Sequence, residues 1–350
     1  MSILNQKLKD LTPYEPLKGQ YKIRFDANES FISMPENLRE KLSKIAYDLP
    51  YNRYPDPLAE NVCRAFGDYF NVEEKYITAG NGSDELISII INCFTDKDDK
   101  VICFAPDFSM YRFYSFLADL KTIELPKDEM LNIEVDKLIK IINKEKPRII
   151  IFSNPCNPTG QGLKKEEIKK IINCFDGLLV LDEAYMDFWN ESLINEFKKY
   201  KNLIILKTCS KAFGLAALRL GFAITSKELT NALRAAKSPF NVNELTQRMG
   251  QCILKEKKYL DFCVESIKNN TKMLYNGVKE IEKKNSELFV FNTFTNFVLI
   301  KTNNAVKIYE ELLKKGIAVR CFNNLLRITA GSKEENQEFL KEFEKIMRNN

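Results

Sequence analysis

Several short runs rich in Ile, Val and Leu, alternating with amphipathic Lys/Glu-rich stretches of helical length, constrain this chain more than any other feature. They are KVICFAP (100–106), PRIIIFSNP (147–155), GLLVLDEAY (177–185), NLIILKTCSK (202–211) and LGFAITS (220–226). Each is too short to span a bilayer and suits a strand covered on both faces. Strands alternating with helices give an α/β fold with a mostly parallel sheet. After about residue 240 the pattern changes. Helical stretches fill 244–285, and LFVFNTFTNFVLIK and GIAVRCF…LRITAG read as strands of a smaller α+β unit. With 350 residues, 45% of them hydrophobic, the chain has enough apolar surface for two cores. No Gly/Ser linker, internal repeat or low-complexity tract separates the units, so the second is expected to pack against the first.

The count that excludes most chemistry is zero histidines. Ser-His-Asp and Cys-His catalysis and His-bearing zinc sites each need an imidazole, so acid–base work falls to Lys, Asp, Glu, Tyr, Cys or a bound cofactor. The nine cysteines form no C-x-x-C pair and several lie inside apolar runs, as expected of buried thiols in a reducing compartment. The N-terminal stretch lacks a signal-peptide core and no apolar run approaches membrane length, so a cytoplasmic location without membrane contact is expected. The formal charge of +5 comes from scattered Lys, which reads as a solvated surface rather than a nucleic-acid footprint.

Polar residues follow the apolar part of most runs: Asn154 and Asn157, Asp182 and Tyr185, Ser210 and Lys211. In an open parallel sheet, ligands bind beyond the carboxyl ends of the strands, so these groups are expected to converge on one site. Each motif taken alone has two readings. In ITAGNGSDELISIIINCF (77–94), glycines precede Ser83 and Asp84 at a helix start, giving either a phosphate cradle of backbone N–H groups or a plain capping turn. NPCNPTG (154–160) is a rigid turn that either aims an Asn side chain or merely reverses the chain. LDEAY (181–185) buries a carboxylate, to meet a cationic ligand or a structural partner. Lys211, between a strand end and the small-residue turn AFGLAALRLG, suits a Schiff-base amine with a lowered pKa or a phosphate-binding point charge. Pyridoxal 5′-phosphate (PLP) would use all of these groups together.

NPCNPTG, LDEAY and TCSKAFGLAALRLG, in this order and with these gaps, resemble the fold type I PLP-dependent aminotransferases of class I/II. LTPYEP (11–16), DANES (26–30), RYPDP (53–57), GNGSDELI (80–87), PFNVNELTQ (239–247), TNFVLI (295–300) and LRITAGSKEENQEFL (326–340) narrow the resemblance to the histidinol-phosphate aminotransferase family, from about residue 11 to the C-terminus. The resemblance implies an α/β fold: a large domain with a mostly parallel, seven-stranded-type sheet flanked by helices, plus a smaller α+β domain. The corresponding division is an N-terminal arm with part of the small domain at 1–45, a large PLP-binding domain at 46–243 and a small C-terminal domain at 244–350.

The resemblance also implies roles. Lys211 is the amine that holds the cofactor and then carries a proton at the substrate carbon, Asp182 the partner of the ring nitrogen, and Tyr185 and Asn157 the donors to the phenolic oxygen. Phe108 stacks on the ring. Ser83, Asp84, Thr208, Ser210 and Arg219 hold the phosphate, and Tyr54 reaches the phosphate of a neighbouring subunit, implying a homodimer with shared active sites. Tyr14, Asn28, Arg320 and Arg327 fall at substrate-binding positions; Arg327 would take the anionic end of both substrates by planar bidentate pairing. The reaction implied is amino transfer from L-histidinol phosphate to 2-oxoglutarate, giving imidazole-acetol phosphate and L-glutamate, a step of histidine biosynthesis. Neighbouring reactions remain open: transfer from another phosphorylated amine or an aromatic amino acid, and the related amino-acid-phosphate decarboxylation. The chain departs from the family pattern at NESF, where relatives usually have NENP, and at Cys156, where they usually have Asn.

Overall fold

The computed structural model describes residues 3, 5–9, 11–13, 15 and 17–348. In chain order its strands are β1 (Ile23–Arg24), β2 (Ile77–Asn81), β3 (Lys100–Ala105), β4 (Lys121–Pro126), β5 (Ile149–Ser153), β6 (Leu178–Asp182), β7 (Leu203–Thr208), β8 (Leu220–Thr225), β9 (Phe289–Val290), β10 (Phe297–Lys301), β11 (Ile317–Ala318), β12 (Arg320–Phe322) and β13 (Leu325–Thr329). The five apolar runs became β3 and β5 to β8. They lie in a seven-stranded sheet of order β2-β8-β7-β6-β5-β3-β4. Only β8 runs antiparallel to its neighbours, so the sheet is mostly parallel as expected.

Two strands of this sheet were not singled out in the sequence. β4 is one of the two edge strands, and its Lys121, Thr122 and Glu124 face partly into solvent, so it carries no continuous apolar run. β2 is ITAGN, cut short by glycine as it feeds the helix Gly82–Phe94.

Successive side chains of the central strands enter opposite layers. Ile150 and Phe152 of β5, Leu179 and Leu181 of β6, and Leu203 and Ile205 of β7 join one core. Ile149, Ile151, Leu178, Val180, Ile204 and Leu206 join the other. Burial on both faces stabilises each such side chain by roughly 1.5–3 kcal/mol. It also explains why these runs are apolar at every position.

A third core lies in a four-stranded sheet, order β12-β13-β10-β9, with β1 and β11 paired beside it. The 26-residue helix Lys257–Glu282 serves two cores: Leu260 and Ile267 pack with the large sheet, Leu274, Val278 and Ile281 with the small one. Among the described residues, no helix is long and apolar enough to cross a membrane.

Two features of the large sheet position the site. The carboxyl ends of β5, β6 and β7 lie side by side, with Ser153 in register with Asp182 and Asp182 with Leu206. The chain order also reverses between β3 and β5, with β4 on one side and β6 and β7 on the other. A crevice at such a switch point, beyond the carboxyl ends, is where open α/β sheets bind ligands.

Candidate active site

The start of the helix Gly82–Phe94 is brought to the ends of β7 and β8 by backbone proximity. Thr208 ends β7 in register with Gly221 of β8, and a Cβ at Gly221 would come within 2.5 Å of the Ser83 nitrogen. Glycine there lets the start of the helix Gly82–Phe94 settle against the strand. Arg219, just before β8, reaches over the same turn: its Nη2 lies 3.3 Å from Asp84 Oδ2, and a Cβ at Gly82 would meet it at 2.7 Å. Thr208 Oγ1 accepts from the Ser210 backbone N–H at 3.2 Å and lies 3.1 Å from Ser210 Oγ. Ser83, Asp84, Thr208, Ser210 and Arg219 thus come from separate stretches to one place, where a helix N-terminus and a guanidinium favour an anion.

Lys211 follows directly. Its Nζ donates to the Ala27 carbonyl at 3.0 Å. Burial, reinforced by the positive charges of Arg327 and Arg219, lowers its pKa to about 8, while Glu29 and Asp84 pull it back up. A substantial neutral-amine fraction at mildly basic pH is what a nucleophilic lysine requires.

Asp182, 3% exposed at the end of β6, accepts from Tyr111 Oη at 2.8 Å and from the Ala184 backbone N–H at 3.0 Å. Burial pushes its pKa up to about 6; those two hydrogen bonds oppose the shift, and the charges of Asp84 and Asp107 add to it. Both donors are neutral, so the carboxylate is held in place without a balancing charge from them. Tyr111 was not anticipated from the sequence. The available signal was its spacing: it stands three residues after Phe108, one helical turn on, and the two rings meet edge-to-face with centroids 5.6 Å apart.

The small sheet supplies the opposite wall. Arg327 of β13 is buried, its Nη1 donating to Asn157 Oδ1 and its Nη2 to the Asp26 carbonyl at 2.6 Å. Its guanidinium lies 5.5 Å from the centre of the Phe297 ring and 5.7 Å from that of Phe322. Arg320, paired with Arg327 across β12 and β13, reaches the same Phe322 ring at 5.8 Å. Asn28 is buried with φ 54° and donates from Nδ2 to Tyr185 Oη at 2.8 Å, while its Oδ1 accepts from Thr329 Oγ1 at 3.0 Å. Burial raises the Tyr185 pKa to about 12, moderated by Arg327 and by the Asn28 bond. Asn28 therefore links the N-terminal segment, β13 and the large sheet at the site.

Three expected residues stand apart from this set. Tyr54 is 83% exposed and stacks on Phe240 with centroids 4.6 Å apart, at the surface of the chain. Tyr14 lies outside the described residues. Asn154, grouped with Asn157 in the sequence, is structural. Its side chain exchanges two hydrogen bonds with the Leu163 backbone, 3.0 and 2.7 Å, and pins the turn that carries Asn157.

The family model "Aminotransferase class I and II" matches residues 20–343. The histidinol-phosphate aminotransferase of Clostridium novyi (strain NT) is 45% identical over 97% of this chain and 95% of that protein. That of Clostridium kluyveri (strain ATCC 8527 / DSM 555 / NBRC 12016 / NCIMB 10680 / K1) is 42% identical over 99% of both. The fold matches a crystal structure of histidinol-phosphate aminotransferase from Sinorhizobium meliloti in complex with pyridoxal-5′-phosphate, with a TM-score of 0.87 and 20% identity over 100% of this chain and 98% of that one. A lysine, a buried carboxylate and a helix start at the strand ends, under a match that spans nearly the whole sequence, lead to one conclusion: the chain belongs to the class I and II aminotransferases.

Proposed function

We propose that this protein is a PLP-dependent aminotransferase that passes the amino group of L-histidinol phosphate to 2-oxoglutarate, giving imidazole-acetol phosphate and L-glutamate. The observation that carries the reading is that Lys211, past the end of β7, and Arg327, of β13, donate to adjacent carbonyls, Ala27 at 3.0 Å and Asp26 at 2.6 Å, which sets an amine and an anion-binding guanidinium at one site. The choice of substrate is supported by full-length likeness to the Clostridium histidinol-phosphate aminotransferases.

The residues fit PLP on an observation internal to the chain. Asp182 is a buried carboxylate hydrogen-bonded by neutral donors, and a cationic ring nitrogen supplies the charge that its burial calls for. When bound, PLP supplies an aldehyde that takes up amines and a ring that withdraws electrons from the carbon bearing the amino group. In this reading Ser83, Asp84, Thr208, Ser210 and Arg219 hold its phosphate, Phe108 covers one face of its ring, and Tyr185 and Asn157 donate to its phenolic oxygen. Lys211, released once substrate binds, removes the proton from the substrate carbon and returns it on the other side of the reaction. Arg327 orients the substrate by its anionic end, and because Arg327 also donates to Asn157, substrate and cofactor contacts share one hydrogen-bonded frame. Arg320, and Tyr14 from the N-terminal segment, complete the substrate wall in this reading. The exposed Tyr54 is assigned to the phosphate of a second copy of the chain, which makes the working unit a homodimer.

Three outcomes follow. In single half-reactions with PLP-loaded protein, followed by the change in visible absorbance, L-histidinol phosphate reacts with a higher kcat/KM than serinol phosphate or L-phenylalanine; a preference for either of those overturns the substrate assignment and leaves the reaction class standing. With the PLP-free protein, amine-selective acylation of Lys211 followed by peptide mass spectrometry rises with pH with its midpoint near pH 8, because only the neutral amine reacts. A Lys211 profile that tracks the exposed lysines contradicts the lowered pKa. Light scattering gives twice the chain mass for the PLP-loaded protein, and a monomer that turns over substrate fully removes the role given to Tyr54.

A further inference from the structure

At the switch point of the large sheet, outside the set of residues assigned above, Lys127 and Cys156 meet in an enclosed contact. Lys127 follows β4 and its side chain is 2% exposed; Cys156 follows β5 and is buried. Lys127 Nζ lies 2.8 Å from Cys156 Sγ and 3.5 Å from Asp107 Oδ2, just past the end of β3. Three neighbouring strand ends therefore deliver an amine, a thiol and a carboxylate to one spot. Cys156 Sγ also donates to the Pro106 carbonyl at 3.6 Å, as Cys63, Cys174 and Cys321 donate to backbone carbonyls; what it has besides is the lysine. Lys127, Ser153, Asn154 and Cys156 also border a cavity of about 10 Å³, space for a single water-sized molecule.

We propose that Lys127 and Cys156 are the site of a reversible oxidative crosslink in which one oxygen atom joins the lysine nitrogen to the cysteine sulfur, formed when the protein meets peroxide. The first peroxide oxidises the thiol to S–OH and leaves one water. The second forms the N–O bond: the S–OH and the amine each lose one hydrogen, and that peroxide leaves as two waters. Sulfur and nitrogen each give up two electrons, and each peroxide takes two. Four small-molecule thiols reverse the change, returning the thiol, the amine and one water as two disulfides form. Burial raises the pKa of Cys156; it works to lower that of Lys127, but Cys156 and Asp107 hold Lys127 above the ordinary lysine value, so thiolate and neutral amine are both scarce and both steps are slow. The enclosed contact then favours capture of S–OH by the adjacent amine over reaction with bulky thiols. Because Asn157 follows Cys156 and its backbone N–H is bonded to Ser153 Oγ at 3.2 Å, the bridge ties the turn carrying Asn157 to the end of β4.

The test treats the PLP-loaded protein with hydrogen peroxide and maps its peptides by mass spectrometry, alongside Cys156→Asn and Lys127→Arg. The inference expects a linked pair of peptides containing Lys127 and Cys156, heavier than their sum by one oxygen less two hydrogens, absent from both variants and lost on dithiothreitol treatment. An unmodified pair, Cys156 oxidised to sulfinic or sulfonic acid beside an intact Lys127, or a direct N–S link without the oxygen would each overturn it. The linked mass is read independently of turnover, so it stands or falls separately from the choice of substrate.

Discussion

The buried carboxylate of Asp182 is the constraint on which the rest of the site depends. A charge at the end of a fully buried strand is costly unless something opposite in sign meets it, and the fold gives Asp182 two neutral hydrogen bonds instead. Those bonds fix its direction without quenching its charge. Tyr111 exists in this arrangement to aim the carboxylate, which is why a tyrosine with a strongly raised pKa lies beneath the site rather than an apolar residue. In the proposed function the opposite charge is the ring nitrogen of the cofactor.

Everything else is arranged around that place by the strand order. β5, β6 and β7 bring Asn157, Asp182 and Lys211 to one edge, β8 brings Arg219, and the tight approach of Gly221 to Ser83 brings the helix start. The small sheet then closes the site with Arg327. One long helix packs into both cores, and the Ala27 and Asp26 carbonyls tie Lys211 and Arg327 to one N-terminal segment. Beside the site, the buried ion pair of Lys207 and Asp187, 2.7 Å apart, sits next to Glu183, whose pKa burial raises to about 7. Such pairs add little net stability, but removing one partner leaves an uncompensated charge in the core.

Much of this was legible in the sequence because the central strands are buried on both faces, which leaves a continuous apolar signature, and because the groups that follow them end each run abruptly. Lys211, Asp182 and Arg327 were each singled out on that basis or by the family resemblance. β4 was not, since an edge strand half in solvent has no such signature. Contacts between distant segments were equally hidden. Asn28 on Tyr185, Arg327 on Asn157 and Lys127 on Cys156 join residues far apart in the chain, and no local pattern specifies which pairs will meet. Tyr111 lies between these cases: its spacing from Phe108 was visible, but its partner, 71 residues away, was not.

The central claim, that Asp182 is built for a cation brought by the cofactor, is tested most directly by the pH dependence of stability of wild type relative to Asp182→Asn, with and without PLP. With its folded pKa raised from 3.8 to about 6, Asp182 holds the extra proton in the folded state, so without PLP its contribution is most favourable at low pH and is lost as pH rises between those values. The wild type should therefore lose ground to Asp182→Asn over that window. With PLP bound the charged form gains its partner, and at pH 8 the cofactor should stabilise the wild type much more than it stabilises Asp182→Asn. Equal stabilisation of the two by PLP at pH 8 would contradict the account.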